Sequence, residues 1–166
     1  ARGARRVAAE GVLRGFGRRT GCRVSLLRAP GIYDSDARLP LARLEKGDPV
    51  LQADDDVFTN HIHADDLAWL LALSLFRGKP GRAYNACDDS QLRMGDYFDL
   101  VADACGLPRP PRLSRDELAS RVSPMTLSFM SESRRIGNAR IKRELRAGLR
   151  FPTVADALRA RGGRVS

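Results

Sequence analysis

The stretch Asn60-His61-Ile62-His63-Ala64-Asp65-Asp66-Leu67-Ala68 reads as a short strand, His61 to His63, running into a helix that opens at Asp65-Asp66. The helix stays apolar through Trp69, Leu70, Leu71, Leu73, Leu75 and Phe76, and Gly78, Pro80 and Gly81 end it. Asp65 and Asp66 stand at a helix N-terminus, where free amides and the dipole favour negative charge. His61 and His63 are two apart on a strand, so they share a face. With Asp65 they would offer three metal ligands. One short segment without a fourth partner is a poor metal site, and no metal is expected. His61 is read as a hydrogen-bonded structural histidine, or else as a polar substrate contact or proton donor, since imidazole titrates near neutrality.

Upstream, residues 4–20 have helical spacing, with Val7, Val12, Leu13 and Phe16 set among arginines, and Gly21 is a stop. Cys22 to Leu27 is β-rich and predicts a buried parallel strand. Arg28 to Tyr33 is expected to be a loop, because Pro30 and Gly31 interrupt pairing. Leu39 to Glu45 predicts a short helix, Gly47-Asp48-Pro49 a turn, and Val50 to Phe58 a hairpin or extended segment crossed by Asp54-Asp55-Asp56.

Downstream, Ala83 to Cys87 predicts a strand, Asp88-Asp89-Ser90 a turn, and Met94 to Cys105 a helix stopped by Gly106. Tyr97, Phe98, Leu100, Val101 and Ala102 are the packing residues of that helix. Pro108 to Pro111 is a rigid linker. Ser114 and Glu117 form a capping box for a helix over 115–122. Residues 124–132 fit helix or extended chain equally. Asn138 to Leu145 predicts an amphipathic helix in which Glu144 can pair with Arg140, and Thr153 caps a last helix over 154–161. The alternation of strand and helix argues for an α/β fold. Only two or three strands look fully buried, too few for a complete doubly wound sheet.

Bulk properties narrow the function classes. The 166 residues are enough for one domain with a core, and 43% hydrophobic with 30% charged residues is an ordinary globular balance. No run of apolar residues is long enough to span a bilayer, and Ala1 to Arg6 lacks the apolar core of a secretory signal. Cys22, Cys87 and Cys105 are odd in number and far apart, which suggests reduced thiols in a cytoplasmic protein rather than a zinc site or disulfides. The net charge of +9 invites a nucleic-acid reading. Its distribution argues against one: residues 1–23 and 134–150 are each net +6, while 24–133 is net −5. Arg outnumbers Lys by 26 to 3. No helix-turn-helix, zinc or aromatic stacking platform supports a nucleic-acid partner, and no membrane partner is expected.

Five landmarks in order resemble the extended short-chain dehydrogenase/reductase family, also called the NAD-dependent epimerase/dehydratase family. Arg6-Val7-Ala8-Ala9-Glu10 is similar to the end of its Tyr-x-x-x-Lys helix. Leu27-Arg28-Ala29-Pro30-Gly31-Ile32-Tyr33 resembles its strand end L-R-x-P-x-x-Y. His63-Ala64-Asp65-Asp66-Leu67-Ala68 and Gly81-Arg82-Ala83-Tyr84-Asn85-Ala86 follow its His-x-Asp-Asp-x-Ala and G-x-x-Y-N-x elements. Ser133 to Leu145, with Phe151-Pro152-Thr153 beyond, looks like its C-terminal helix region.

The resemblance implies the C-terminal part of a Rossmann-like parallel sheet with a small α/β substrate-binding subdomain. Residues 1–166 would be the C-terminal portion of one NAD(P)-binding domain, without its N-terminal dinucleotide-binding half. The family's glycine-rich phosphate loop does not occur in the sequence. The resemblance further implies NAD or NADP as cofactor, a sugar nucleotide or related hydroxyl/carbonyl compound as substrate, and a homodimer built through the first helix. It implies cofactor contacts at Arg6, Pro30, Gly31 and Ile32. It implies substrate contacts at Tyr33, Arg43, Asn60 and His61, with Arg43 suited to an anionic group such as phosphate.

The catalytic pair is not matched. Arg6 aligns with the lysine and Arg2 with the tyrosine, and a guanidinium does not exchange a proton near neutral pH. The catalytic residue is therefore unknown. A non-catalytic sensor or scaffold of the same fold is the alternative, and an Arg-rich nucleic-acid-binding module is a second one.

Overall fold

The computed structural model describes residues 2–34 and 38–162. Helix α1 (Arg2–Thr20) leads into strand β1 (Leu26–Arg28), and β2 (Gly31–Tyr33) follows after two residues. Then come α2 (Leu41–Glu45), β3 (Val50–Leu51), β4 (His61–His63), α3 (Ala64–Arg77) and β5 (Ala83–Asn85). The remainder is α4 (Met94–Cys105), β6 (Arg112–Leu113), α5 (Arg115–Ala119), α6 (Pro124–Met130), α7 (Ala139–Leu145) and α8 (Val154–Ala160). The strands form three parallel pairs, β1 with β5, β2 with β4, and β3 with β6. The fold is α/β, as the alternation of elements predicts.

The segment expected as a loop over 28–33 contains a strand. Pro30 has no amide to donate, but it lies just ahead of β2. The Gly31 amide then bonds the Asn60 carbonyl at 3.1 Å, and Gly31, Ile32 and Tyr33 pair with His61, Ile62 and His63. The strand expected over 22–27 narrows to Leu26–Arg28, because β5 offers only three partners. Val50 to Phe58 is not a hairpin: Val50 and Leu51 pair in parallel with Arg112 and Leu113, so the proline-rich segment delivers β6 to a strand some sixty residues earlier. Residues 115–122 form a helix only to Ala119, with the capping box between Ser114 and Glu117 present. The ambiguous 124–132 segment is helical over Pro124–Met130.

Strand β4 is buried on both faces, and its alternation divides the core. Ile62 joins Leu70, Leu73, Tyr84, Ile141 and Leu145, where α3 and α7 cover the two longer strand pairs. His61 and His63 point the other way. There Tyr33, Tyr97, Phe98, Val101, Phe151, Val154 and Leu158 fill the space between β2, α4 and α8. A smaller cluster of Leu51, Leu118 and Met130 lies under α5 and α6.

Helix α1 has the expected length but not a buried apolar stripe. Val7, Val12, Leu13 and Phe16 are all exposed. Glu144 bonds the Tyr84 hydroxyl (3.1 Å) and pairs with Arg82 (3.3 Å), so its main partners are not the neighbouring-turn Arg140. The helix-opening aspartates also divide their work. His63 is the N-cap of α3 through its Nδ1. Asp66 leaves its own helix and accepts the Arg150 and Phe151 amides at 2.7 and 2.9 Å.

Candidate functional site

At the carboxyl end of β1, the chain leaves the β1–β5 pair at Arg28 and crosses at Pro30 to pair with β4. Ligands of open parallel α/β sheets bind at such carboxyl edges. Gly31 is exposed there. A Cβ on it would meet His61 Cδ2 at 3.1 Å and the Asn60 carbonyl at 3.2 Å, so only a bare backbone leaves both neighbours undisturbed. The loop thus presents backbone on its open side with the His61 ring directly behind.

Helix α1 is tied to this edge by the Arg28 fork, which donates to both Glu10 oxygens at 2.7 and 2.8 Å. Arg28 holds the Glu10 carboxyl below its ordinary range. Arg6 lies one turn before Glu10, on the same helix side. The side chain of Arg2 lies outside the described residues.

Behind Gly31 an aromatic ladder runs inward. The His61 ring stacks on Tyr97 with centroids 4.0 Å apart and 24° between planes. Tyr97 meets Phe98 edge-on at 5.9 Å, and the Arg43 guanidinium lies 4.7 Å over the Phe98 ring. Tyr33 stands edge-on to both His61 and His63. Burial pushes the His61 imidazole down to about 4, so at neutral pH it is an uncharged hydrogen-bonding group. Burial pushes the Tyr33 and Tyr97 phenols up, out of reach of neutral-pH proton transfer.

Asn60 is committed to the fold. Its amide donates to the Arg134 carbonyl at 2.7 Å, and its oxygen accepts the Ile136 amide at 2.9 Å. It clamps the 134–136 segment against β4. Arg43 lines a cleft of about 530 Å³ with Arg121, Ser123, Thr126, Met94 and Met130, and pairs with Asp48 at 3.5 Å. Of the expected residues, Pro30, Gly31, Ile32 and His61 are contiguous. Tyr33 and Arg43 connect to them through rings, and Asn60 connects through the backbone.

The residues that sequence reading passed over are Tyr97, Asp66 and Asp88. Tyr97 read only as packing, and the two aspartates read as helix-start and turn residues. Among the described residues no group of three or more His, Cys, Asp or Glu side chains is arranged to hold a metal ion. Among the described residues no helix is long and apolar enough to cross a membrane.

A carboxyl-edge loop of this kind, its Tyr84-Asn85 strand and the β4–α3 unit define the carboxy-terminal half of the extended short-chain dehydrogenase/reductase, or NAD-dependent epimerase/dehydratase, fold, and the chain has that fold. A conserved protein of unknown function from Silicibacter pomeroyi matches at 34% identity over 82% of this chain and 46% of its own, with a TM-score of 0.71. A nucleoside-diphosphate-sugar epimerase from Pseudomonas aeruginosa matches at 19% identity over 91% of this chain and 50% of its own, TM-score 0.72. A dTDP-glucose 4,6-dehydratase from Bacillus anthracis, solved with NAD, matches at 15% identity over 92% and 47%, TM-score 0.65. The chain spans about half the length of each of these structures. No family model and no curated protein sequence matches it.

Proposed function

We propose that this chain forms the substrate side of an NAD(P)-dependent epimerase, dehydratase or reductase acting on a sugar nucleotide or a related hydroxyl/carbonyl compound. The observation that carries the reading is the exposed Gly31 backbone, just after Pro30, at the carboxyl edge of a parallel strand pair, backed by the neutral His61 ring. In this role Pro30, Gly31 and Ile32 offer backbone groups to the nicotinamide carboxamide, and Arg6 offers a fixed cation to its ribose. His61 is a hydrogen-bonding wall, Arg43 meets an anionic part of the substrate, and Tyr33 and Asn60 hold that wall in place. The residues fit a nicotinamide ring better than a whole dinucleotide, because no glycine-rich turn among them would cradle a pyrophosphate. When bound, the cofactor would supply the hydride chemistry.

Calorimetry tests the reading. A longer protein carrying this chain behind a phosphate-binding half should bind NADH or NADPH, with Gly31→Val and Arg6→Ala each weakening it. The 166-residue chain alone should show no micromolar binding. Tight dinucleotide binding by the chain alone, or none by the longer protein, overturns the proposal. A sensor or scaffold of the same fold is the second reading, favoured by arginine at both positions of the Tyr-x-x-x-Lys pair. Cofactor binding without hydride transfer across a substrate panel would decide for it.

A further inference from the structure

Among the described residues, four buried polar atoms without a hydrogen-bond partner belong to side chains of neighbouring elements in the core: Tyr33 OH, His61 Nδ1, His63 Nε2 and Asp88 Oδ2. All four residues are less than a tenth exposed. Orphaned buried polar atoms are rare, and a cluster of them calls for a physical reason. His63 Nδ1 accepts the Asp65 amide at 3.2 Å, which places its proton on the orphaned Nε2. Asp88 adjoins His61 directly, its amide donating to the His61 carbonyl at 2.8 Å.

Among the described residues, the nearby cations are engaged elsewhere, Arg150 lying over the Phe151 ring at 5.2 Å and facing Asp65 at 3.8 Å. Tyr33 of β2, His61 and His63 of β4 and Tyr97 of α4 meet ring to ring. Asp66 of α3 and the adjacent Asp89 add negative charge, as does Asp156 of α8 on the Tyr33 side. Lys142 of α7 is engaged with both Asp89 oxygens at 2.6 Å, and Arg159 with Asp156 at 2.8 Å. Asp88 itself receives the Ser90 amide at 2.9 Å on Oδ1. An isolated ionised carboxylate or imidazolium at such a place is costly unless paired.

We propose that Asp88 and His61 form a buried neutral acid–base pair, the aspartate as carboxylic acid and the histidine as free imidazole, so that folding in mildly acid solution passes one proton from His61 to Asp88 with no net uptake. Burial pushes the Asp88 carboxyl up to about 7 and the His61 imidazole down to about 4. In the unfolded chain these groups ionise near 3.8 and 6.5. Between about 4 and 6.5 the unfolded chain carries the proton on histidine and the folded chain carries it on aspartate. The raised aspartate alone would make stability fall as pH rises. The lowered histidine alone would make it rise. Together they cancel, and the pH dependence is hidden.

Single substitutions uncover it. Urea unfolding of wild type, Asp88→Asn and His61→Gln is followed between pH 4.5 and 6.5, within the window where both groups are linked. Relative to wild type, the folding constant of D88N should climb with pH by up to about tenfold per unit, and that of H61Q should drop by as much. Slopes of the opposite sign would mean that the fold holds each group charged even without the other, and overturn the proposal. Curves parallel to wild type would mean that neither group is perturbed and overturn it equally. Carboxyl-carbon NMR of wild-type Asp88 reads the same point without any variant. The resonance should be that of the protonated acid at pH 6, and a titration near the ordinary aspartate value sinks the idea even if a variant fails to fold.

Discussion

Asp65 and Asp66 show how far one residue can differ from its neighbour under the same sequence signal. Both read as anions at a helix start, and both stand in the first turn of α3. Asp65 is 64% exposed and faces Arg150 at 3.8 Å, a surface pair that contributes little. Asp66 is 1% exposed and accepts two backbone amides from 84 and 85 residues away. Replacing it by alanine strands the buried Phe151 amide and the part-buried Arg150 amide, and unsatisfied buried donors are costly. Asp66→Ala should therefore destabilise the fold by about 3 kcal/mol in urea titration, while Asp65→Ala should stay within about 0.5 kcal/mol. Equal effects would remove the distinction. The helix start is legible locally. The partner at Arg150 and Phe151 is not, since nothing in the local pattern encodes so distant a contact. The same holds for Asp88: its turn to Ser90 is written in the sequence, but the groups it acts on, Tyr33, His61 and Tyr97, come from β2, β4 and α4.

Among the elements, those with local punctuation were legible. Met94–Cys105 ends at Gly106 with φ 67°, the capping box at Ser114 forms as its spacing predicts, and Thr153 caps the last helix as expected, with Asp156 completing a box there. Strand β2 was not legible, because Pro and Gly signal a break while the pairing that makes Gly31–Tyr33 a strand is supplied by β4. Likewise the 50–58 segment has no marker for its parallel partner at Arg112. Helix α1 was legible as a helix, but its attachment depends on the bidentate Arg28–Glu10 bond, with Arg14 adding a bond to the Gly81 carbonyl. Arg28 lowers the Glu10 carboxyl below its unfolded value of 4.5. The sign follows: this stabilisation is present above that value and lost as pH falls through the lower folded one. Glu10→Gln should cost less than about 1 kcal/mol at pH 7, since Arg28 is half exposed. The difference from wild type should vanish on acidification. Chemical denaturation at pH 7 and at low pH measures both; a deficit that persists in acid would show that packing, not charge, fastens the helix.

At the scale of the whole molecule, the sequence points to an α/β chain, while the distribution of packing emerges only in three dimensions. Helices α3, α4, α7 and α8 each bury apolar residues in the main clusters. Helix α1 contributes none of its large apolar side chains, although its spacing of Val7, Val12, Leu13 and Phe16 resembles a buried face. Spacing reports that a face exists, not what covers it. Arg14 and Arg18 are also a like-charged pair one turn apart, which weakens a helix lacking tertiary support. Local stability follows buried contacts, so the least protected helix should be the one with fewest. Native-state hydrogen exchange of the 166-residue chain should therefore show α1 amides exchanging through local opening. The amides of α4, which buries Tyr97, Phe98, Val101 and Ala102, should exchange only with global unfolding. Removing the Arg28–Glu10 tie by Glu10→Gln should speed exchange in α1 and leave α4 unchanged. Equal protection in the two helices would mean that α1 is held by more than that tie and the Gly81 contact, and that its exposed apolar residues are covered in solution.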